Sequence, residues 1–148
     1  MNKSTETPKR TEALLNAYKA KEEVETVLDP KAIKKSTLDK LPNPTGYRLL
    51  VLPYAGPKKT KGGLYLSDTT QETIQMTTVC GLVLKMGDLC YLDKDKFPKG
   101  PWCKINEWII FSRYAGSRFK IDGGEVRVLN DDEVISTIAD PNDILHHY

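Results

Sequence analysis

Only two histidines are present, His146 and His147, and both lie within three residues of the C-terminus. A general base must be held in hydrogen-bonding geometry, and a chain end is a poor holder. Cys80, Cys90 and Cys103 are odd in number and lack Cys-x-x-Cys spacing, which argues against a disulfide framework or a zinc ribbon. They read as reduced thiols, small buried apolar residues in or beside strands; a metal site completed by His146 and His147 is the alternative. Asp131-Asp132-Glu133 could hold a cation but reads better as a solvated turn before a strand. The sequence contains no Gly-x-Ser-x-Gly, Gly-x-x-x-x-Gly-Lys-Ser/Thr, His-Glu-x-x-His or Gly-x-Gly-x-x-Gly motif. A non-enzymatic protein without cofactor or metal is expected.

The remaining chemistry is that of binding. Gly62-Gly63-Leu64-Tyr65-Leu66 follows Lys58, Lys59 and Lys61 inside a polar, turn-rich stretch from Tyr54 to Thr78. Three large apolar side chains in such surroundings have too little apolar company to form a core, so a partner groove is their expected destination. The lysines read as keeping the stretch solvated.

Composition fits this reading. At 148 residues, with 39% hydrophobic and 28% charged residues, the chain suits one domain with an appendage. No stretch approaches the roughly 20 consecutive apolar residues of a membrane span, and no apolar run near Met1 resembles a secretory signal. A cytoplasmic location is expected. The net charge of +2 arises within residues 1–40. Lysines and glutamates are mixed through most segments rather than concentrated on a face, so nucleic-acid binding is not expected.

Two regions position these residues, divided near Leu41-Pro42-Asn43-Pro44. In residues 1–42, Thr7 and Pro8 can open a helix on which Leu14, Tyr18, Lys21, Val24 and Leu28 share one side. Asp29-Pro30 repeats the signal before a shorter helical stretch, Lys31 to Lys35. Such an arm can dock on its own domain, pair with a neighbouring subunit or await a partner. Residues 43–140 read as all-β. Strands are expected at 47–52, 76–86, 108–111, 118–121, 125–129 and 134–138, with a bulge or bend at Gly81 and an Asp122-Gly123-Gly124 hairpin. The unbroken apolar run Leu49 to Leu52 implies burial on both faces, or one face covered by another chain. Residues 87–103 form an excursion without strand periodicity, whose Tyr91, Phe97 and Trp102 are expected to pack back onto the domain. Residues 141–148 form a tail.

The order of these pieces resembles the small GroES-like co-chaperonins, the chaperonin 10 family. The resemblance rests on Tyr47-Arg48-Leu49-Leu50-Val51-Leu52, on Lys59 to Leu66, on Phe111-Ser112-Arg113-Tyr114-Ala115-Gly116-Ser117, on Lys120 to Glu125, and on Asn130 to Ile138. Asn106-Glu107 stands where the family has a Gly-Asp turn, and Asn tolerates positive φ. Tyr65 replaces a smaller aliphatic residue. The 87–103 excursion takes the place of the roof hairpin and is more similar to phage-encoded members than to cellular ones.

The resemblance implies a small irregular β-barrel with a long mobile loop, preceded here by the helical arm, and a homo-oligomeric ring of seven subunits. That ring would cap a nucleotide-bound GroEL-like chaperonin, with Gly62, Gly63, Leu64, Tyr65 and Leu66 entering a groove of the chaperonin. It also implies pairing between neighbouring subunits through the first and closing strands, here Tyr47, Leu49 and Val51 against Val134, Ile135 and Ile138. Two rivals come from other classes. One is a small barrel that contacts nucleic acid through its basic arm. The other is a piece of a zinc-dependent medium-chain reductase, which would need a nucleotide-binding domain and zinc ligands that this sequence does not supply.

Overall fold

Apolar side chains along Arg48–Pro53, the first strand (β1), alternate between two cores in the computed structural model, which describes residues 28–31, 33–57, 67–121 and 124–144. The other strands are β2 (Cys80–Met86), β3 (Trp108–Phe111), β4 (Ser117–Ile121), β5 (Gly124–Asn130) and β6 (Val134–Ile138). All pairings are antiparallel, and the six strands form one sheet in the order β4-β5-β1-β2-β3-β6. The expected all-β domain is thus observed as a six-stranded antiparallel sheet. Ile121 pairs with Gly124, which leaves two residues for the β4–β5 turn, as the Asp-Gly signal requires.

Leu49 and Val51 join Val83, Ile109, Phe111, Leu129 and Val134 on one side of the sheet. Leu50 and Leu52 join Leu82, Leu84 and Val126 on the other. The chain itself covers both sides. Cys90, Tyr91, Phe97 and Cys103 of the 87–103 excursion close the first core, and Leu28, Ile33, Leu38 and Leu41 close the second. Both-face burial explains why β1 reads as a continuous apolar run.

Three local expectations are corrected. The helical stretch foreseen at Lys31 to Lys35 lies later, at Lys35–Lys40 (α1); Asp29 Oδ1 instead accepts a 2.9 Å bond from the Lys31 N–H, closing a local turn. The strand foreseen from Met76 begins at Cys80, because Asp68–Thr77 is a helix (α2). Its threonines disfavour that state, and two hydroxyls, of Thr73 and Thr77, bond back to carbonyls four residues earlier. Ser67 nevertheless caps it, its Oγ accepting from the Thr70 N–H at 3.1 Å.

Gly81 is the third. The bulge falls at Leu84, since Leu50 pairs with Lys85 while Val51 pairs with Val83. Gly81 serves close approach: a Cβ there would collide with the Val51 side chain and lie 3.0 Å from the Leu52 carbonyl oxygen and 3.1 Å from the Phe111 ring. The turn before β3 behaves as expected, with Asn106 at φ 71°. No helix among the described residues is long and apolar enough to cross a membrane.

Candidate functional site

The five residues read as a docking peptide, Gly62 to Leu66, lie outside the described residues, but both shoulders of their segment are defined. On the N-terminal side β1 runs into Tyr54, which is buried; its backbone N–H donates to the Cys80 carbonyl at 2.8 Å. The Tyr54 hydroxyl bonds Asn142 Oδ1, and its ring meets Trp108 edge-on at 5.9 Å. On the C-terminal side α2 carries the chain from Ser67 back to the sheet. A groove of about 650 Å³ lies beside Tyr54, lined also by Leu28, Pro57, Gln71, Trp108 and Asn142.

Beneath the shoulders lies a buried polar network. Gln75, fully buried, donates from Nε2 to the Pro53 carbonyl at 3.2 Å and accepts at Oε1 from the Glu125 N–H at 3.1 Å. Arg127, also fully buried, donates from Nη1 to the Arg113 carbonyl at 2.7 Å and from Nη2 to the carbonyls of Gln75 and Met76 at 3.2 and 3.0 Å. Its guanidinium carbon stands 5.1 Å from the centre of the Phe111 ring. Glu125 Oε1 faces both Arg127 Nε and Arg118 Nε at 3.7 Å, within ion-pair reach but beyond a hydrogen bond. Burial pulls the Arg127 guanidinium down to about 10, with Arg118 adding repulsion. Burial likewise raises the Glu125 carboxyl, against the attraction of Arg127 and Arg118.

In the excursion, Tyr91 and Phe97 are buried and Trp102 is half exposed. Phe97 meets Tyr91 at 4.8 Å and Trp102 at 4.9 Å, both edge-to-face. These aromatics pack back on the barrel as the sequence reading foresaw. Tyr91, at φ 61°, is pinned by its N–H to Asp131 Oδ2 at 3.0 Å and its hydroxyl to the Asp131 carbonyl at 2.8 Å. Asp131 is therefore buried, while Asp132 pairs with Lys96 at the surface, 2.6 Å apart. All three cysteines are free and buried, which matches the reading of them as apolar thiols. Burial pushes Cys80 up to about 12 and Cys90 up to about 11, and raises Cys103 and Tyr91 as well. Among the described residues no three His, Cys, Asp or Glu side chains gather in a metal-holding group; His146 and His147 lie outside them.

The residues expected at a subunit interface separate into two sets. Leu49 and Val51 are wholly buried in the subunit's own core, because β1 is paired on both sides, with β5 and β2. Along residues 49–51, β1 therefore presents no unpaired edge of its own. Tyr47 is half exposed and Ile135 is 65% exposed. Ile135 is the extra residue of a bulge in the edge strand β6, since Ile110 pairs with Ser136 and Phe111 with Val134. Val134 is buried, and Ile138, paired with Trp108, is half buried.

The model of the "Chaperonin 10 Kd subunit" family matches residues 42–138, from the prolines before β1 to the end of β6. The chain belongs to the chaperonin 10 family. A co-chaperonin GroES of Syntrophomonas wolfei is 36% identical over 97 residues, covering 64% of this chain and 95% of that protein. The GroES of Treponema denticola is 33% identical over 95 residues, 64% of this chain and 94% of that protein, and that of Myxococcus xanthus is 34% identical over 91 residues, 62% and 90% respectively. In this chaperonin 10 subunit the match begins after α1, so the segment that covers the second core precedes it. Sequence reading missed the Gln75–Glu125–Arg127 network. Its signal was Arg127 itself, a charge in the middle of Val126-Arg127-Val128-Leu129 where the apolar neighbours promise burial.

Proposed function

We propose that this chaperonin 10 subunit is a co-chaperonin that caps a GroEL-like chaperonin ring in its nucleotide-bound state, with Gly62-Gly63-Leu64-Tyr65-Leu66 as the docking peptide. The observation that carries this reading is the family match, whose bounds, residues 42–138, include both shoulders of the docking segment. The chemistry fits. Burying three large side chains is worth on the order of 5 to 8 kcal/mol gross, and ordering the chain around them offsets much of it at about 1 to 2 kcal/mol per residue. One subunit then binds weakly, and a ring of seven raises avidity by about 10² to 10⁴. The capping step needs no catalytic group in this chain. Ring closure is proposed through Tyr47, Val134, Ile135 and Ile138, with Leu49 and Val51 supporting the surface from within. The units proposed are an arm at 1–42, the co-chaperonin domain at 43–140 and a tail at 141–148.

Limited proteolysis tests the docking. Cleavage between Tyr54 and Ser67 in the free protein is expected to be suppressed by chaperonin plus nucleotide, and Leu64→Asp is expected to abolish that protection while the fold persists. Equal cleavage with and without chaperonin, or protection that survives Leu64→Asp, refutes the reading.

A further inference from the structure

An arginine inside a small barrel needs a task. Arg127 shares a face of β5 with Leu129 by the two-residue period of a strand, and it is fully buried. Two of its bonds reach the carbonyls of Gln75 and Met76, in the last turn of α2. Carbonyls of a last turn lack intrahelical partners and carry the negative end of the helix dipole. The helix has no basic residue of its own there. Arg127 therefore supplies from a neighbouring strand the cap that the helix sequence omits. Gln75 completes the tie by joining the Pro53 carbonyl, where β1 ends, to the Glu125 N–H. Both shoulders of the docking segment are thus fastened to β5 within one network.

We propose that Arg127, acting with Gln75, is a positioning residue for chaperonin docking: by capping α2 from inside the barrel, it holds the helix as a fixed stalk. A helix that is already fixed adds no ordering of its own when the segment engages its partner, and fewer residues ordered means a smaller entropic cost of binding. The inference rests on the docking reading above.

The test uses the full-length protein in three variants. Arg127→Met with Glu125→Gln removes the buried cation and its partner together, so that no lone buried carboxylate is left. Gln75→Leu keeps the ion pair and removes the bridge. Arg127→Lys keeps a donor that can still cap the helix. The readouts are amide hydrogen exchange of residues 70–77 against that of β1 and β2, and affinity for a purified GroEL-type chaperonin with ADP. The double variant and Gln75→Leu are expected to speed exchange in 70–77 at least tenfold with the strands still protected. Both are expected to weaken binding at least tenfold, with Arg127→Lys recovering part of each effect.

Unchanged affinity despite faster exchange in the helix would overturn the positioning role, and so would unchanged exchange. If the double variant does not fold, Gln75→Leu decides by the same two measurements. Leu64→Asp separates the two ideas. Loss of binding in Leu64→Asp with full binding by the helix-loosened variants sinks positioning alone, whereas full binding by Leu64→Asp sinks the docking reading and this inference with it.

Discussion

Leu41→Ala asks whether the segment before the family match is an appendage or part of the barrel. Leu41 is 6% exposed and belongs to the core of Leu50, Leu52, Leu82, Leu84 and Val126. Its carbonyl also accepts a 3.1 Å bond from Lys85 Nζ, which the substitution leaves in place. Truncating a buried leucine costs about 2 to 5 kcal/mol through lost transfer energy and the cavity left behind. The lower half of that range is appropriate because the covering segment, held by half-buried Leu28, Ile33 and Leu38, can partly collapse. A loss of about 3 kcal/mol is a large share of a typical stability of 5 to 15 kcal/mol. For a chain of this size it lowers the melting temperature by roughly 6 to 12 °C. Thermal and urea unfolding are the assays, with Leu89→Ala as control; Leu89 is 55% exposed and its truncation is expected to stay within about 0.5 kcal/mol. A Leu41→Ala protein that unfolds with the control would refute the packing argument and return residues 28–41 to the status of a loose arm.

Three further outcomes are expected. Phe97→Ala, which removes the buried ring between Tyr91 and Trp102, is expected to cost about 3 to 5 kcal/mol in urea unfolding, against about 1 for the half-exposed Trp102; equal costs would show that the excursion is not built around Phe97. Cys80 has a folded pKa raised from the ordinary 9.0 to about 12, so between these values the native state keeps a proton that the unfolded chain gives up, and stability falls as pH rises above about 9. The loss is about 1 kcal/mol per pH unit after allowing for partial solvent screening, Cys90 and Cys103 act in the same direction, and urea midpoints from pH 8 to 10 should fall less in Cys80→Ala than in the native chain; an identical fall would refute the assignment. Asn106 sits at φ 71°, so Asn106→Val is expected to destabilise by about 1 to 2 kcal/mol and Asn106→Gly to be near neutral, a difference that thermal melts resolve.

How much of this was legible depended on whether the deciding forces were local. Trp108 to Phe111 and Val134 to Ile138 could be read as strands because β-branched and aromatic residues between turn signals fit few other structures, and Leu49 to Leu52 because it is a short apolar run bounded by turn residues. The Asn106 turn was legible through the family resemblance, because Asn can take the positive φ that glycine also allows. The covering of both sheet faces was only half legible. An apolar run in β1 demands two cores, but nothing in its own residues says that Leu28, Ile33, Leu38 and Leu41 supply the second cover. Ile135 illustrates the limit at an edge: its exposure follows from a bulge set by register against β3, a quantity that appears only once two strands are paired.

Helix α2 and Arg127 escaped the sequence reading together, and for one reason. Judged alone, Thr69-Thr70-Gln71-Glu72-Thr73-Ile74-Gln75-Met76-Thr77 is a poor helix, and an isolated helix of its length is marginal in water even with good formers. Judged alone, Arg127 is a misplaced charge in a core strand, costly to bury unless its donors are used. Each resolves the other. The helix end offers carbonyls that have no partner of their own, and the arginine offers donors that have no water to meet. A local rule scores both as faults because the compensating term lies about fifty residues away, between Gln75 or Met76 and Arg127. The stability of the helix is therefore conditional on the barrel. On the proposed docking reading, α2 is the described part of the segment whose order a single strand residue is expected to set.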